Sequence, residues 1–276
     1  MFLGILLAFG SCKKSNLKAP ASAFMVVNNP TIKTTSSTQG SNSSKITDIW
    51  YYVDDDFKGA FPVGGIMPVI GEGNHKITFF AGIKNNGISA TRVPYDFYQP
   101  QTIYQNFEPG LTYTFSPEFN YATYAIFPAQ ALENFDSTLG VKYLSIGANP
   151  YYLISDPLKV YGGTGKSVFI TMTDINPDAI LKTTTSMYLP AGGTSVYLEL
   201  NYKCNQPFNI GIIGGSSDER LVVTANESDE WNKIYVKLTD AVSTAPTYSY
   251  YDVIIKATKT VSSPEIYLDN IKLVTR

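Results

Sequence analysis

ITDIWYYVDDDFKGAFPVGGIMPVIGEGNHKITFFAG, residues 46–82, reads as four short strands separated by turns. Ile46, Trp50, Tyr52 and Val53 belong to a run of β-branched and aromatic residues, which fit a pleated, half-buried surface. Asp54, Asp55 and Asp56 then place three like charges side by side. A strand interior disfavours that arrangement and a solvated hairpin turn accommodates it. Clustered carboxylates also suit Ca²⁺, but D-D-D-F-K-G lacks the D-x-[DN]-x-[DN]-G spacing of a calcium loop. Gly64, Gly65 and Pro68 break the next run. Gly71 and Gly73 flank Glu72 in a second turn, and His75 to Ala81 resumes the strand. A small β-domain begins this way.

The strand ending in Val53-Asp54-Asp55, the Gly and Pro that follow, and the returning EGNHKITF (72–79) resemble the PEGA-type surface domain. The following segment, Gly82 to Arg92 and then Tyr95-Asp96-Phe97-Tyr98, is similar to a recurring segment of uncharacterised Bacteroidetes-type surface lipoproteins. The resemblance implies an immunoglobulin-like or PEGA-like sandwich and an envelope compartment, and no activity.

Composition agrees with a β-rich, extracytoplasmic chain. Of 276 residues, 44% are hydrophobic and only 16% charged, with 20 Tyr and 15 Phe. That length suffices for two domains, each with its own core. The formal net charge of −2 gives no electrostatic basis for nucleic-acid binding, which needs clustered Lys and Arg. No apolar run reaches the roughly 18 residues of a membrane span. Two cysteines are too few for a disulfide scaffold. Cys204 reads as a small buried hydrophobe or a free thiol.

At the N-terminus, Phe2 to Phe9 (FLGILLAF) is a short apolar core followed by Gly10-Ser11-Cys12, the pattern of a secretory leader. Small residues before a cysteine resemble a bacterial lipobox. That resemblance implies a signal peptide at 1–11 and a lipidated Cys12 (palmitate among its acyl chains). It implies an outer-membrane location facing the periplasm or the cell surface. Each buried CH₂ of an acyl chain contributes about 0.8 kcal/mol, so several chains hold the protein on the membrane. No basic residue precedes the apolar core, a departure that a start upstream of Met1 would resolve. A chance apolar N-terminus with a buried Cys is the plainer alternative. Residues 12–23 then read as the lipidated Cys and a polar tether. Phe24 to Asn28 reads as the first strand. Thr34 to Ser44 (TTSSTQGSNSS) reads as a long exposed polar loop.

The first domain is expected over 24–127 and the second over 128–276. In the second, short strand signals recur near Val141–Ile146, Ser167–Thr173, Ser186–Leu189, Ser195–Tyr202, Phe208–Ile213, Arg220–Ala225, Lys233–Leu238, Ser249–Ala257 and Ile266–Val274. Strands so spaced, separated by Gly, Pro, Asn and Asp, imply a sandwich or jelly roll. YLELNYKCNQPFNIGI (197–212), EWNKIYVKLTD (230–240) and EIYLDNIKL (265–273) resemble the jelly-roll, galactose-binding-like type of carbohydrate-binding module. The fold class is therefore all-β, with two β-sandwich domains: immunoglobulin-like or PEGA-like, then jelly roll.

No motif supplies an active site. Gly162-Gly-Thr-Gly-Lys-Ser167 lacks the first glycine of a phosphate loop, since that offset holds Val160, and SVFITMTD continues as a strand where a helix is needed. His75 is the only histidine, so a His-based metal cluster is excluded, and no G-x-S-x-G elbow occurs. Paired carboxylates such as Glu199, Asp252 and Asp269 could serve glycoside hydrolysis, but any β-sandwich offers some. A non-enzymatic role follows. The resemblance to jelly rolls also implies that Glu133, Asp136 and Asp269 could hold a structural Ca²⁺; no other cofactor is expected.

Strand alternation suggests a binding face. In Ser195–Tyr202, the residues Val196, Leu198, Leu200 and Tyr202 point inward, leaving Tyr197, Glu199 and Asn201 on the opposite side. In Ser249–Ala257, Tyr251, Val253 and Ile255 point inward, leaving Tyr250 and Asp252 outside. Tyrosines beside carboxylates and amides suit sugars, which present C–H patches and hydroxyls together. An ordinary Tyr-rich surface, or a face covered by the first domain, would carry the same pattern. Trp231 is expected in the core or at its edge. The expected partners are a membrane through the lipid anchor and a glycan; the alternative role is a structural or adhesion subunit against another envelope protein.

Overall fold

The computed structural model describes residues 22–215, 217–244 and 248–276. The expected signal peptide, Cys12 and the tether up to residue 21 lie outside these described residues. Among the described residues no helix is long and apolar enough to cross a membrane.

The first sandwich holds ten strands: β1 (Ser22–Val27), β2 (Thr31–Lys33), β3 (Asp48–Val53), β4 (Asp56–Pro62), β5 (Ile66–Ile70), β6 (Gly73–Lys84), β7 (Arg92–Pro94), β8 (Gln101–Phe107), β9 (Thr112–Phe115) and β10 (Glu118–Asn120). One sheet runs β4-β3-β6-β7, with β8 also on β6; the other runs β5-β1-β9, and β2 pairs with β10. β1 is antiparallel to β5 and parallel to β9. Alternation in β1 buries Ala23, Met25 and Val27 against Tyr51, Ile77 and Phe79 of the facing sheet. The turn from β3 to β4 places Asp54 and Asp55 at φ 51° and 69°. Paired positive φ is what a two-residue hairpin requires, and Asp tolerates it better than most residues. Asp54 accepts from the Lys76 backbone N–H at 3.0 Å, and its other oxygen lies 2.6 Å from His75 Nδ1. Asp55 pairs with Lys76 at 2.7 Å. The triple-Asp run therefore serves the hairpin, and His75 is a hydrogen-bonded strand residue.

The second sandwich holds eleven: β11 (Tyr143–Ile146), β12 (Tyr152–Ile154), β13 (Ser167–Ile170), β14 (Asp178–Thr183), β15 (Met187–Tyr188), β16 (Val196–Cys204), β17 (Phe208–Gly214), β18 (Asp218–Ala225), β19 (Ser228–Lys237), β20 (Tyr250–Thr258) and β21 (Ile266–Thr275), with one short helix, α1 (Thr239–Ser243). One sheet runs β11-β14-β20-β17-β18, with β15 also on β20; the other runs β12-β13-β21-β16-β19. Leu198, Leu200, Leu268 and Leu273 from the second of these meet Ile210, Ile212, Val253 and Ile255 from the first. Residues 162–167 lead into β13 and no helix follows them.

The two sandwiches are fused. Tyr197, Tyr235 and Val274 of the second belong to the hydrophobic core of the first. Backbone bridges join Asn85 to Tyr235 and Ile126 to Thr275. Every residue of β21 is buried, because one side packs into its own sandwich and the other meets the first. The loop at 34–44, read from sequence as exposed, is drawn into this seam. Lys272 Nζ donates to the carbonyls of Gln39 at 2.6 Å and Ser41 at 2.5 Å, and Ser43 is buried. A backbone whose carbonyls accept from a buried lysine cannot stay in solvent, and polar composition does not reveal that.

Candidate functional site

The five residues expected to share a face lie on two different sheets. Tyr197, Glu199 and Asn201 are on β16, and Tyr250 and Asp252 are on β20. The inward residues of both strands are as expected, but the outward residues diverge because β16 and β20 belong to opposite layers. Tyr197, Glu199 and Asn201 are all buried under the first sandwich, so they offer no open ligand face.

What they build instead is an internal polar cluster. Glu199 is 0% exposed. It accepts from Tyr95 Oη at 2.8 Å and from Tyr121 Oη at 3.0 Å, and it pairs with Lys233 Nζ at 2.8 Å. Burial opposes the charged form, yet Lys233, Lys272 and these hydrogen bonds outweigh it and hold the Glu199 carboxyl below its ordinary value. Tyr197 donates to Asn85 Oδ1 at 2.9 Å, and Tyr95 meets the Tyr197 and Tyr235 rings edge-on.

The face that the first sandwich leaves uncovered is the outer side of the β11-β14-β20-β17-β18 sheet. It is open at its ends and edges but closed at its centre, where Asp252 and Ile254 are buried, Asp252 against expectation. On β20, Tyr250, Asp252, Ile254 and Lys256 alternate with the core residues Tyr251, Val253, Ile255 and Ala257. The register sets Ile180 opposite Lys256 and Lys182 opposite Ile254 on β14, and Asn209, Gly211 and Ile213 opposite Lys256, Ile254 and Asp252 on β17. At one end Tyr188 of β15 pairs with Tyr250; their rings lie 6.2 Å apart at 72°, and they are 59% and 63% exposed. At the other end a hollow of about 220 Å³ is lined by Ile146, Ile175, Asp178 and Ile180, among others. Nine residues of β20 span the platform, roughly 27 Å at the rise of an extended strand.

Charges on this face are paired within it. Lys182 Nζ sits 2.5 Å from Asp252 Oδ2, Thr183 Oγ1 donates to Asp252 Oδ1 at 3.2 Å, and Lys256 Nζ sits 2.8 Å from Glu219. Thr224 Oγ1 donates to Asn209 Oδ1 at 2.7 Å. The platform thus offers fixed donors and acceptors, a pair of exposed phenol rings and little net field. Tyr188 escaped notice in the sequence. Met187 and Leu189 on either side, both buried, were the signal that it faces outward.

Glu133, Asp136 and Asp269 are occupied by protein donors. Glu133 takes the backbone N–H of Phe135 and Lys142 at 2.8 and 2.7 Å. Asp136 takes Lys166 N–H at 3.0 Å and Asn134 Nδ2 at 2.7 Å. Asp269 takes Ser167 Oγ at 2.5 Å and Asn270 N–H at 2.6 Å. Burial is the largest influence on Asp269 and pushes its carboxyl up to about 7. Among the described residues no group of three or more His, Cys, Asp or Glu is placed to hold a metal ion. Trp231 is half-buried and meets Tyr161 edge-on.

No protein-family model matches the chain, and no curated protein matches it. Solved structures do. One is TmCBM61 in complex with β-1,4-galactotriose, at 11% identity over 52% of this chain and 95% of that one, with a TM-score of 0.38. Another is a carbohydrate binding module of family 29, at 16% identity over 54% and 92%, with a TM-score of 0.38. A third is an exo-β-agarase, at 10% identity over 53% of this chain and 25% of that one, with a TM-score of 0.40.

Proposed function

We propose that this chain is a lipid-anchored envelope protein with a non-catalytic role, and that it binds glycan on the outer face of the β11-β14-β20-β17-β18 sheet. The observation that carries the reading is the Tyr188–Tyr250 pair, more than half exposed on the sheet face that the first sandwich does not cover. Phenol rings offer apolar faces to sugar C–H patches, and their hydroxyls reach a sugar's own. Lys182, held by the buried Asp252, together with Asn209 and Glu219 on the same face, supplies donors and acceptors already held in place. The test is a glycan array probed with residues 22–276, beside the Tyr188→Ala/Tyr250→Ala variant. Oligosaccharide binding greatly weakened by the double change supports the reading; equal oligosaccharide binding by both forms contradicts the assignment to this face.

A protein partner is the second reading, favoured by apolar groups on the same side. Leu144, Ile146 and Leu221 are exposed there, and exposed apolar patches mark association surfaces. The absence of any glycan ligand would shift the weight to that reading.

The anchor belongs to the same proposal. The apolar run before Cys12 and the small residues beside it support lipidation, and the sugar-facing domain would then stand off a membrane on the tether. Cys12→Ser is expected to move the protein from the membrane fraction to the soluble one. Retention at the original level would remove the anchor from the account.

A further inference from the structure

A cleft of about 400 Å³ lies at the seam of the two sandwiches, within the roughly 300–1,000 Å³ of small-molecule sites. Its walls come from three separate segments: Ser37 and Ser41 from the loop at 34–44, Leu132 and Glu133 from the connection between sandwiches, and Asn270 and Lys272 from β21. We propose that this cleft binds one residue of a neutral sugar. The proposal rests on the glycan reading for its ligand class only, and it places a site well apart from the Tyr188–Tyr250 face.

The wall chemistry selects that class. Its two ionic groups are opposite in sign and already satisfied. Glu133 takes two backbone N–H groups, at 2.8 and 2.7 Å, and Lys272 Nζ donates to two carbonyls, at 2.6 and 2.5 Å. The two walls carry opposite signs, so an anion would face Glu133 and a cation Lys272, whereas a neutral ligand meets no like charge. What is left unpartnered is neutral. Asn270 is 8% exposed, and among the described residues its side-chain amide has no hydrogen-bond partner. Ser41 Oγ likewise has none. Buried without a partner, the Ser41 hydroxyl costs about 1–3 kcal/mol, which a ligand that supplies the partner recovers. The Asn270 amide is not buried in this way and stands solvated on the cleft wall, free to bond a ligand. A primary amide presents an NH₂ donor group beside a carbonyl acceptor at fixed separation, which adjacent sugar hydroxyls can meet together. Leu132 and Ile271 give the C–H face of a ring its apolar neighbour.

Backbone geometry points to the same place. Asn270 sits at φ 49°, where the pairing of β16 with β21 shifts register between Glu199 and Asn201. The bulge turns its amide out of the ladder and toward the cleft-lining side. Opposite, Gly40 at φ 67° lets the loop approach; a Cβ there would lie 2.7 Å from Leu132 Cδ1.

The experiment is titration of the protein (residues 22–276) with neutral monosaccharides and disaccharides, using a uronic acid as the charged control and following the side-chain amide resonance of Asn270. Asn270→Gly removes the amide while tolerating the positive φ. The expected result is saturable binding of a neutral sugar that shifts the Asn270 signal. Binding should weaken about tenfold or more in Asn270→Gly, as loss of a hydrogen-bonding group predicts, and should be unchanged in Tyr188→Ala/Tyr250→Ala. Loss in the tyrosine variant alone, with Asn270→Gly unaffected, overturns the cleft and leaves the glycan reading standing. Equal affinity for the uronic acid overturns the neutral-ligand assignment. Should Asn270→Gly fold poorly, Ser41→Ala and the wild-type amide shift decide: no shift at saturation overturns the proposal. No sugar bound by any form overturns both.

Discussion

Glu199 is an ionised carboxylate with no exposed surface, so its charge must be answered inside the protein. Lys233 supplies the answer at 2.8 Å, with the Tyr95 and Tyr121 hydroxyls completing its shell. Removing one partner of a buried pair leaves the other uncompensated, at a cost of about 3–5 kcal/mol. Glu199→Gln is therefore expected to lose that much stability in urea unfolding, and Glu199→Leu/Lys233→Met to recover most of it. Asp269 titrates in the opposite sense. Its folded-state carboxyl is raised to about 7 from 3.8, chiefly by burial, so between those values the native state holds a proton that the unfolded chain has released. The contribution of this group to stability is full below pH 3.8 and falls as pH rises toward about 7. Asp269→Asn should remove that slope, read as the difference in melting temperature between about pH 4 and about pH 7.5. Neither behaviour was legible in the sequence, where Glu199 and Asp269 look like any strand carboxylates.

At the scale of elements, periodicity carried more. The period-2 alternation of Ser195–Tyr202 and Ser249–Ala257 placed Leu198, Leu200, Val253 and Ile255 in the core, where they lie. It could not tell that the two strands sit in different sheets. That depends on strand order, and β16 takes β19 and β21 as neighbours while β20 takes β14 and β17. Non-local pairings of this kind leave no mark in a local pattern. The strand at Asp178–Thr183 went unread because Pro177 and a Thr run flank it. Gly211 shows the element-scale constraint most sharply. It lies where the β17–β18 register shifts, and a Cβ there would stand 2.1 Å from the Arg220 carbonyl oxygen. Gly211→Ala must push β18 away, and overpacking of this sort costs about 1–3 kcal/mol. A thermal melt of that variant should show the loss.

For the whole molecule, the seam decides behaviour. The first sandwich's core includes Tyr197, Tyr235 and Val274 of the second, and β21 is buried along its full length. Two domains that share a core, and whose first supplies the Tyr95 and Tyr121 hydroxyls to the buried Glu199 of the second, unfold together, so denaturation of residues 22–276 is expected as one cooperative transition by fluorescence and by circular dichroism alike. Two resolved transitions would show the seam to be weaker than its packing implies. The same seam covers one face of the second sandwich and leaves the Tyr188–Tyr250 face as its open surface, and the glycan reading depends on that division. The most direct test is a glycan array probed with the protein and with Tyr188→Ala/Tyr250→Ala. The account predicts oligosaccharide signals that the double substitution greatly weakens while the melting temperature and the single-sugar binding of the seam cleft hold. Oligosaccharide signals of equal strength in both proteins, or no signal in either, would contradict it.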